Sequence, residues 1–258
     1  MWPDLLFILR IPVRGFFLLI LAVFGTIPTL LCVNRLGESI RVGKRSLSEF
    51  MLNWWTRMVC RVFGIQIRVH GKAEPGPVLI VANHISWIDI LVLHSAAAMG
   101  FVSKAEIARW PFIGMLARMS GTVFHERGSQ DSSSNVANAM ISRLNEGGRI
   151  AVFPEGGIKP GDSVKLFHAR MFKAAVEAEC PVQPAMIRYM RKGRRDAEIS
   201  FRDNEHFMGN FIRLLGHPAS TCELRFLAPM EAINRPRKEL AEESRSAIVK
   251  AFEMKVAA

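Results

Sequence analysis

"VANHISWIDI", residues 81–90, follows directly on "PVLI" (77–80), so a histidine, a serine and an aspartate stand where an apolar run gives out. A short run of this kind, bounded by Gly76 and Pro77 on one side and by polar residues on the other, reads as a strand buried on both faces. In an open α/β sheet, ligands gather beyond the carboxyl ends of strands, and His84 stands at such an end. Five residues along a regular helix would turn Asp89 about 140° away from His84. The pair therefore calls for a turn followed by the start of a helix. In that turn the carboxylate reaches one imidazole nitrogen, fixes the tautomer and leaves the other nitrogen as a general base. Ser86 fits a cap of the new helix better than a nucleophile, because the pair suffices when the substrate brings its own hydroxyl. On this segment alone, a histidine that merely hydrogen-bonds a strand end fits equally well.

Outward from this strand, elements alternate. "IQIRVHG" (65–71) precedes it as a strand, and a helix follows near 88–99. "GFVSKAEI" runs from strand into helix, "GTVFHER" is a strand, "SSSNVANAMISRLNEGG" a helix ended by glycine, and "RIAVFPEG" a strand entering a loop. A helix near 166–179, the strand "CPVQPAMIRYM", short strands over 196–228 and a charged helix from Arg235 to Lys255 complete the chain. Such alternation predicts an α/β fold, a mostly parallel sheet flanked by helices. Two regions are expected: N-terminal membrane-associated helices over 1–66, and a catalytic domain over 67–258.

The first region rests on "GFFLLILAVFGTIPTLLCV", Gly15–Val33, 19 residues without a charge. Arg10 and Arg14 precede it and Arg35, Arg41, Lys44 and Arg45 follow, so the positive-inside rule gives no clean orientation. With Gly25 and Pro28 inside, a bent hairpin entering and leaving on one face accounts for both basic flanks better than a plain span. "LSEFMLNWWTRMVCRVFGIQ" (47–66) has helical spacing with paired tryptophans, which suits a helix in the lipid interface or one covering the core.

The 34 basic and 23 acidic side chains leave a net charge of +11, which favours an anionic partner. Few aromatics sit among the later basic residues, which argues against nucleic acid. The stretch "RYMRKGRR" reads as a solvated basic loop open to anionic headgroups or an acidic carrier protein. Four scattered cysteines form no C-x-x-C pair, and the other histidines have no metal-ligand spacing, so no metal site is expected.

"NHISWID" resembles the N-H-x-S-x-x-D motif of the glycerolipid acyltransferases, the 1-acyl-sn-glycerol-3-phosphate (lysophosphatidic acid) acyltransferase family. Three more blocks follow in that family's order: "SKAEIARWPFIGMLARMSGTVFHER", with Lys104 and Arg127 on its basic positions; "FPEG", Phe153–Gly156; and "CPVQPAMI", Cys180–Ile187. The resemblance implies a glycerol-3-phosphate acyltransferase-like fold and transfer of a fatty acyl chain from acyl-CoA or acyl carrier protein to a lysolipid hydroxyl, with no other cofactor. It implies His84 as base, Asp89 as its partner, Lys104 and Arg127 on the acceptor phosphate, and Glu155 and Gly156 lining the acceptor site. It also implies a bacterial-type inner membrane location with the catalytic domain on the cytoplasmic face. After "FPEG" the family continues with threonine and a polar or basic residue, whereas Gly157 and Ile158 stand here. The acceptor expected first is 1-acyl-sn-glycerol-3-phosphate, giving phosphatidic acid. Another lysolipid, such as lyso-ornithine lipid, is the alternative that this departure raises, and a thioester hydrolase is the alternative of a different class.

Overall fold

The computed structural model describes residues 5–109, 113–119, 122–125, 130–158 and 163–254. The chain opens with helix α1 (Leu5–Ile20), a five-residue π-helical turn (Leu21–Gly25) and helix α2 (Thr26–Cys32). Gly25 and Pro28 thus produce a π-turn within one apolar helical run, Leu6–Cys32, and not a reversal of the chain. The turn is stabilised by Trp55, whose ring lies against Gly25, where a Cβ would meet it at 3.2 Å, and whose Nε1 donates to Thr26 Oγ1 at 3.0 Å. Only one side of the run faces protein. Ile11, Leu18 and Leu21 pack on the core, while Phe16, Phe24 and Leu31 point outward.

The reversal comes later, through α3 (Arg35–Ser39), which Asn34 caps by accepting from the Gly37 amide, and the small hairpin of β1 (Arg41–Val42) and β2 (Arg45–Ser46). Helix α4 (Leu47–Val62) begins where Ser46 Oγ accepts from the Glu49 amide. Leu52, Thr56, Val59 and Cys60 are buried on its inner face, and Phe50 and Trp54 are left exposed on the other. The paired tryptophans therefore divide, Trp55 inward against α2 and Trp54 outward.

The remaining strands are β3 (Ile65–His70), β4 (Val78–Ala82), β5 (Gly100–Lys104), β6 (Val123–His125), β7 (Arg149–Val152), β8 (Val182–Arg191), β9 (Arg194–Arg195) and β10 (Ser220–Phe226). The remaining helices are α5 (Ile88–Ala96), α6 (Ile113–Met119), α7 (Gln130–Asn145), α8 (Lys173–Glu177), α9 (Phe207–Gly216) and α10 (Arg237–Glu253). The sheet runs β3-β10-β8-β4-β7-β5-β6, with β9 hairpinned onto β8. Its pairings are parallel except for β8 with β10 and β8 with β9.

Strand β4 is central and wholly buried, which explains its unbroken apolar run. Alternation along it feeds two cores. Val78, Ile80 and Ala82 meet α4, α5 and α9, and Leu79 and Val81 meet α7, α8 and α10. One segment departs from expectation: between 196 and 219 the chain forms α9, where short strands were expected. Leu214 and Leu215 on the inner face of α9 join the first core. The basic stretch at 188–195 is also less solvated than its composition implies. Arg188 is buried against Glu223 at 2.5 Å and donates to the carbonyls of Phe252 and Met254, and Arg195 lies over the Phe252 ring.

Candidate active site

Asn83 terminates β4 by imitating a strand rung. Its Nδ2 donates to the Ile187 carbonyl at 2.9 Å and its Oδ1 accepts from the Ile187 amide at 2.8 Å. With the exit pinned to β8, residues 84–87 turn tightly, the Asp89 amide donates to the Ser86 carbonyl, and α5 begins at Ile88. Asp89 points back into its own turn. Oδ2 accepts from the amides of Ile85 at 2.6 Å and Ser86 at 2.9 Å, and lies 2.9 Å from His84 Nδ1. Oδ1 accepts from Tyr189 OH at 2.7 Å. A fully buried carboxylate is tolerable only when its lone pairs are met, and four donors meet them here.

Because an ionised carboxylate only accepts, His84 Nδ1 carries the proton and Nε2 holds the free lone pair in the neutral ring. Among the described residues no hydrogen-bonding partner reaches Nε2. The imidazole is 12% exposed and lies flat on Phe153, with centroids 3.8 Å apart and planes 12° apart. Trp87 fixes the turn from the far side: Nε1 donates to Asn210 Oδ1 at 2.9 Å, and the ring packs on Phe63, Phe207 and Phe211.

Phe153 opens the loop after β7. Two residues on, Glu155 Oε1 accepts from the His84 amide at 3.1 Å and Oε2 from the Lys165 amide at 3.4 Å. Burial raises the Glu155 carboxyl above its usual range, against the opposing pull of those two amides. Glu155 thus clamps the His84 turn to two points of its own loop. Gly156 has φ of +77°, and a Cβ there would meet the His168 ring at 3.2 Å. The structure brings His84, Asp89, Glu155 and Gly156 into one cluster. Lys104 ends β5, paired with His125, but its side chain and the whole of Arg127 lie outside the described residues.

Sequence reasoning did not single out Tyr189, Phe153 or Asn83. The available signals were an amide ending an apolar run and a lone tyrosine in 258 residues. Ser86 is fully buried, and its Oγ only accepts from the Ile88 amide at 3.4 Å. A second serine, histidine and aspartate set, Ser220, His217 and Asp196, is of another kind. Both Ser220 Oγ and His217 Nε2 bond the same Asp196 oxygen, so no serine is presented to the imidazole as a nucleophile.

A family model described as Acyltransferase matches residues 66–188. A lyso-ornithine lipid O-acyltransferase of Pseudomonas aeruginosa is 36% identical over 202 residues, 78% of this chain and 78% of that protein. This chain belongs to the acyltransferase family. A lyso-ornithine lipid O-acyltransferase of Brucella abortus is 33% identical to this acyltransferase over 220 residues, 80% of each. A 1-acyl-sn-glycerol-3-phosphate acyltransferase of Neisseria gonorrhoeae is 31% identical over 141 residues, 54% of this chain and 55% of that one. The crystal structure of the 1-acyl-sn-glycerophosphate (LPA) acyltransferase PlsC from Thermotoga maritima superposes with a TM-score of 0.70 over 97% of this chain and 98% of its own, at 20% identity. The expected α/β architecture is therefore that of the acyltransferase fold, and the enzyme is an O-acyltransferase of the lysolipid type.

Proposed function

We propose that this enzyme moves a fatty acyl chain from a thioester, acyl-CoA or acyl carrier protein, to the hydroxyl of a lyso-ornithine lipid, with His84 as general base. The observation carrying the chemistry is an imidazole with one nitrogen held by a buried carboxylate and with Nε2 unmet by any hydrogen-bonding partner among the described residues. Nε2 takes the acceptor hydroxyl proton as its oxygen attacks the thioester carbonyl. The tetrahedral intermediate then expels the thiolate, which takes the proton back from the imidazolium, and Asp89 stabilises the charged ring between the two steps. No acyl-enzyme forms and no cofactor beyond the thioester is consumed.

The choice of acceptor is supported by the two relatives of that name, which match over more of the chain than does the 1-acyl-sn-glycerol-3-phosphate enzyme. Gly157 and Ile158, without polar side chains, support the same choice. Lys104 and Arg127 would then face the ornithine carboxylate, and the loop of Glu155 and Gly156 would border the acceptor. Acylation of 1-acyl-sn-glycerol-3-phosphate is the second reading, favoured by the Neisseria relative and by those two cations suited to phosphate.

Membrane association follows the outward apolar face of α1 and α2, which keep their other side on the protein. We assign the helical run a monotopic contact alongside the catalytic domain, on the cytoplasmic face of a bacterial inner membrane.

The test is transfer of labelled acyl groups by the detergent-solubilised protein to lyso-ornithine lipid, to lysophosphatidic acid, and to no added acceptor, with His84→Ala in parallel. Transfer to lyso-ornithine lipid, lost in the variant, is the expected result. Transfer to lysophosphatidic acid alone would move the acceptor, release without an acceptor would make the protein a hydrolase, and full activity in His84→Ala would remove the base.

A further inference from the structure

The fold treats the two oxygens of Asp89 differently. Oδ2 is saturated by its own turn, through His84, Ile85 and Ser86. Oδ1 points into the sheet, and among the described residues its one donor is the hydroxyl of Tyr189, a hundred residues further along the chain. Tyr189 is 2% exposed, on β8 in register with Cys222 of β10. Burial first, and then the charge of Asp89, push its phenol well above the ordinary value, so it remains a donor. The other titratable groups near the carboxylate are Cys60 from α4 and Cys222 from β10, both thiols raised by burial, and Glu155 from the loop after β7. None of these replaces the phenol as a donor to Oδ1.

We propose that Tyr189 is a positioning residue for acyl transfer: its hydroxyl holds the Asp89 carboxylate with Oδ2 aimed at His84 Nδ1 and tunes how strongly that oxygen binds the imidazole proton. This rests on the assignment of His84 as base. Two backbone amides fix one oxygen, and the phenol fixes the rotation of the carboxylate plane. It also withdraws charge from the carboxylate. Without it, Oδ2 becomes a stronger acceptor, the imidazolium is over-stabilised, and the base is lost to protonation at higher pH.

Because Tyr189 is the only tyrosine in the chain, feeding 3-fluorotyrosine replaces this position alone. The experiment compares full-length wild type, Tyr189→Phe and the fluorotyrosine protein in acyl transfer across pH, with a thermal melt of each. Tyr189→Phe is expected to lower kcat about tenfold with KM unchanged, since it touches no substrate, and to move the acid limb of the rate profile upward. The fluorinated phenol, a stronger donor, is expected to move that limb downward. Opposite displacements of this kind do not arise from packing, and the fluorotyrosine protein carries the test alone if Tyr189→Phe does not melt cooperatively. An acid limb unmoved in the proteins that fold overturns the proposal, whether or not kcat falls. A fully active His84→Ala would bring down the base and this inference together. An inactive His84→Ala beside an unchanged Tyr189→Phe would remove this inference alone.

Discussion

His84 and Asp89 are five residues apart in a turn that Asp89 itself closes, because the same carboxylate oxygen that meets the imidazole also accepts two of the intervening amides. Ser86 lies between them in sequence and takes no part in that bonding through its side chain. Ser86→Ala is therefore expected to keep acyl-transfer activity within a few-fold of wild type while lowering stability by about 1 kcal/mol, the usual scale for losing a weak cap in a buried setting. Parallel measurements of kcat and melting temperature check this. A loss of activity as deep as that of His84→Ala would make Ser86 a nucleophile and replace direct transfer with an acyl-enzyme route.

Helix α9 links the His84–Asp89 turn to the apolar N-terminal helix. Its inner face clamps Trp87 through Asn210, Phe207 and Phe211, and its C-terminal carbonyls are taken by the first helix: Arg14 Nη1 donates to Leu215 and His217, and Arg10 Nη1 to Gly216. Those two arginines are consequently helix-end donors more than flanking membrane charges. At the other end Glu205 accepts from the Arg202 amide, Asn210 Nδ2 and the Arg213 guanidinium. The Arg213 bond, above all, holds this carboxyl down at about 2. A carboxyl depressed on folding stabilises fully above its unfolded value and loses that contribution as pH falls towards its folded one. The melting-temperature advantage of wild type over Glu205→Gln should accordingly be complete near neutrality and shrink as pH falls through the carboxylate range towards about 2. An advantage independent of pH would show that the pair contributes through packing alone.

For the whole molecule, a net charge of +11 and an apolar helical run of 27 residues with an outward face combine into one expectation. Binding to anionic vesicles should be strong at low ionic strength and weaken with salt down to a floor set by the apolar contact. The double substitution Phe16→Glu and Phe24→Glu, at positions 61% and 73% exposed, should abolish that floor with little change in melting temperature. Co-sedimentation with vesicles across a salt series measures both. Undiminished binding by the double variant would place the membrane contact on another face.

The amino-acid sequence by itself determined the parts of this enzyme that rest on local pattern. Unbroken apolar runs mark the buried strands, alternation with helical stretches marks the α/β class, and the H-x-x-x-x-D spacing forces a turn whose closure places Asp89 on His84. What only the tertiary structure decided depends on partners remote in sequence. Tyr189 reaches Asp89, Asn83 grips Ile187, and Glu155 ties His84 to Lys165, all through contacts across strands or loops that no local period records. Helix α9 carries Phe207, Phe211, Leu214 and Leu215 at helical spacing, a period that the expectation of short strands passed over and that their inward packing makes plain. Arg188 shows the same limit from the side of charge: its neighbours in sequence make it look solvated, and only the approach of Glu223 and the end of α10 makes its burial possible.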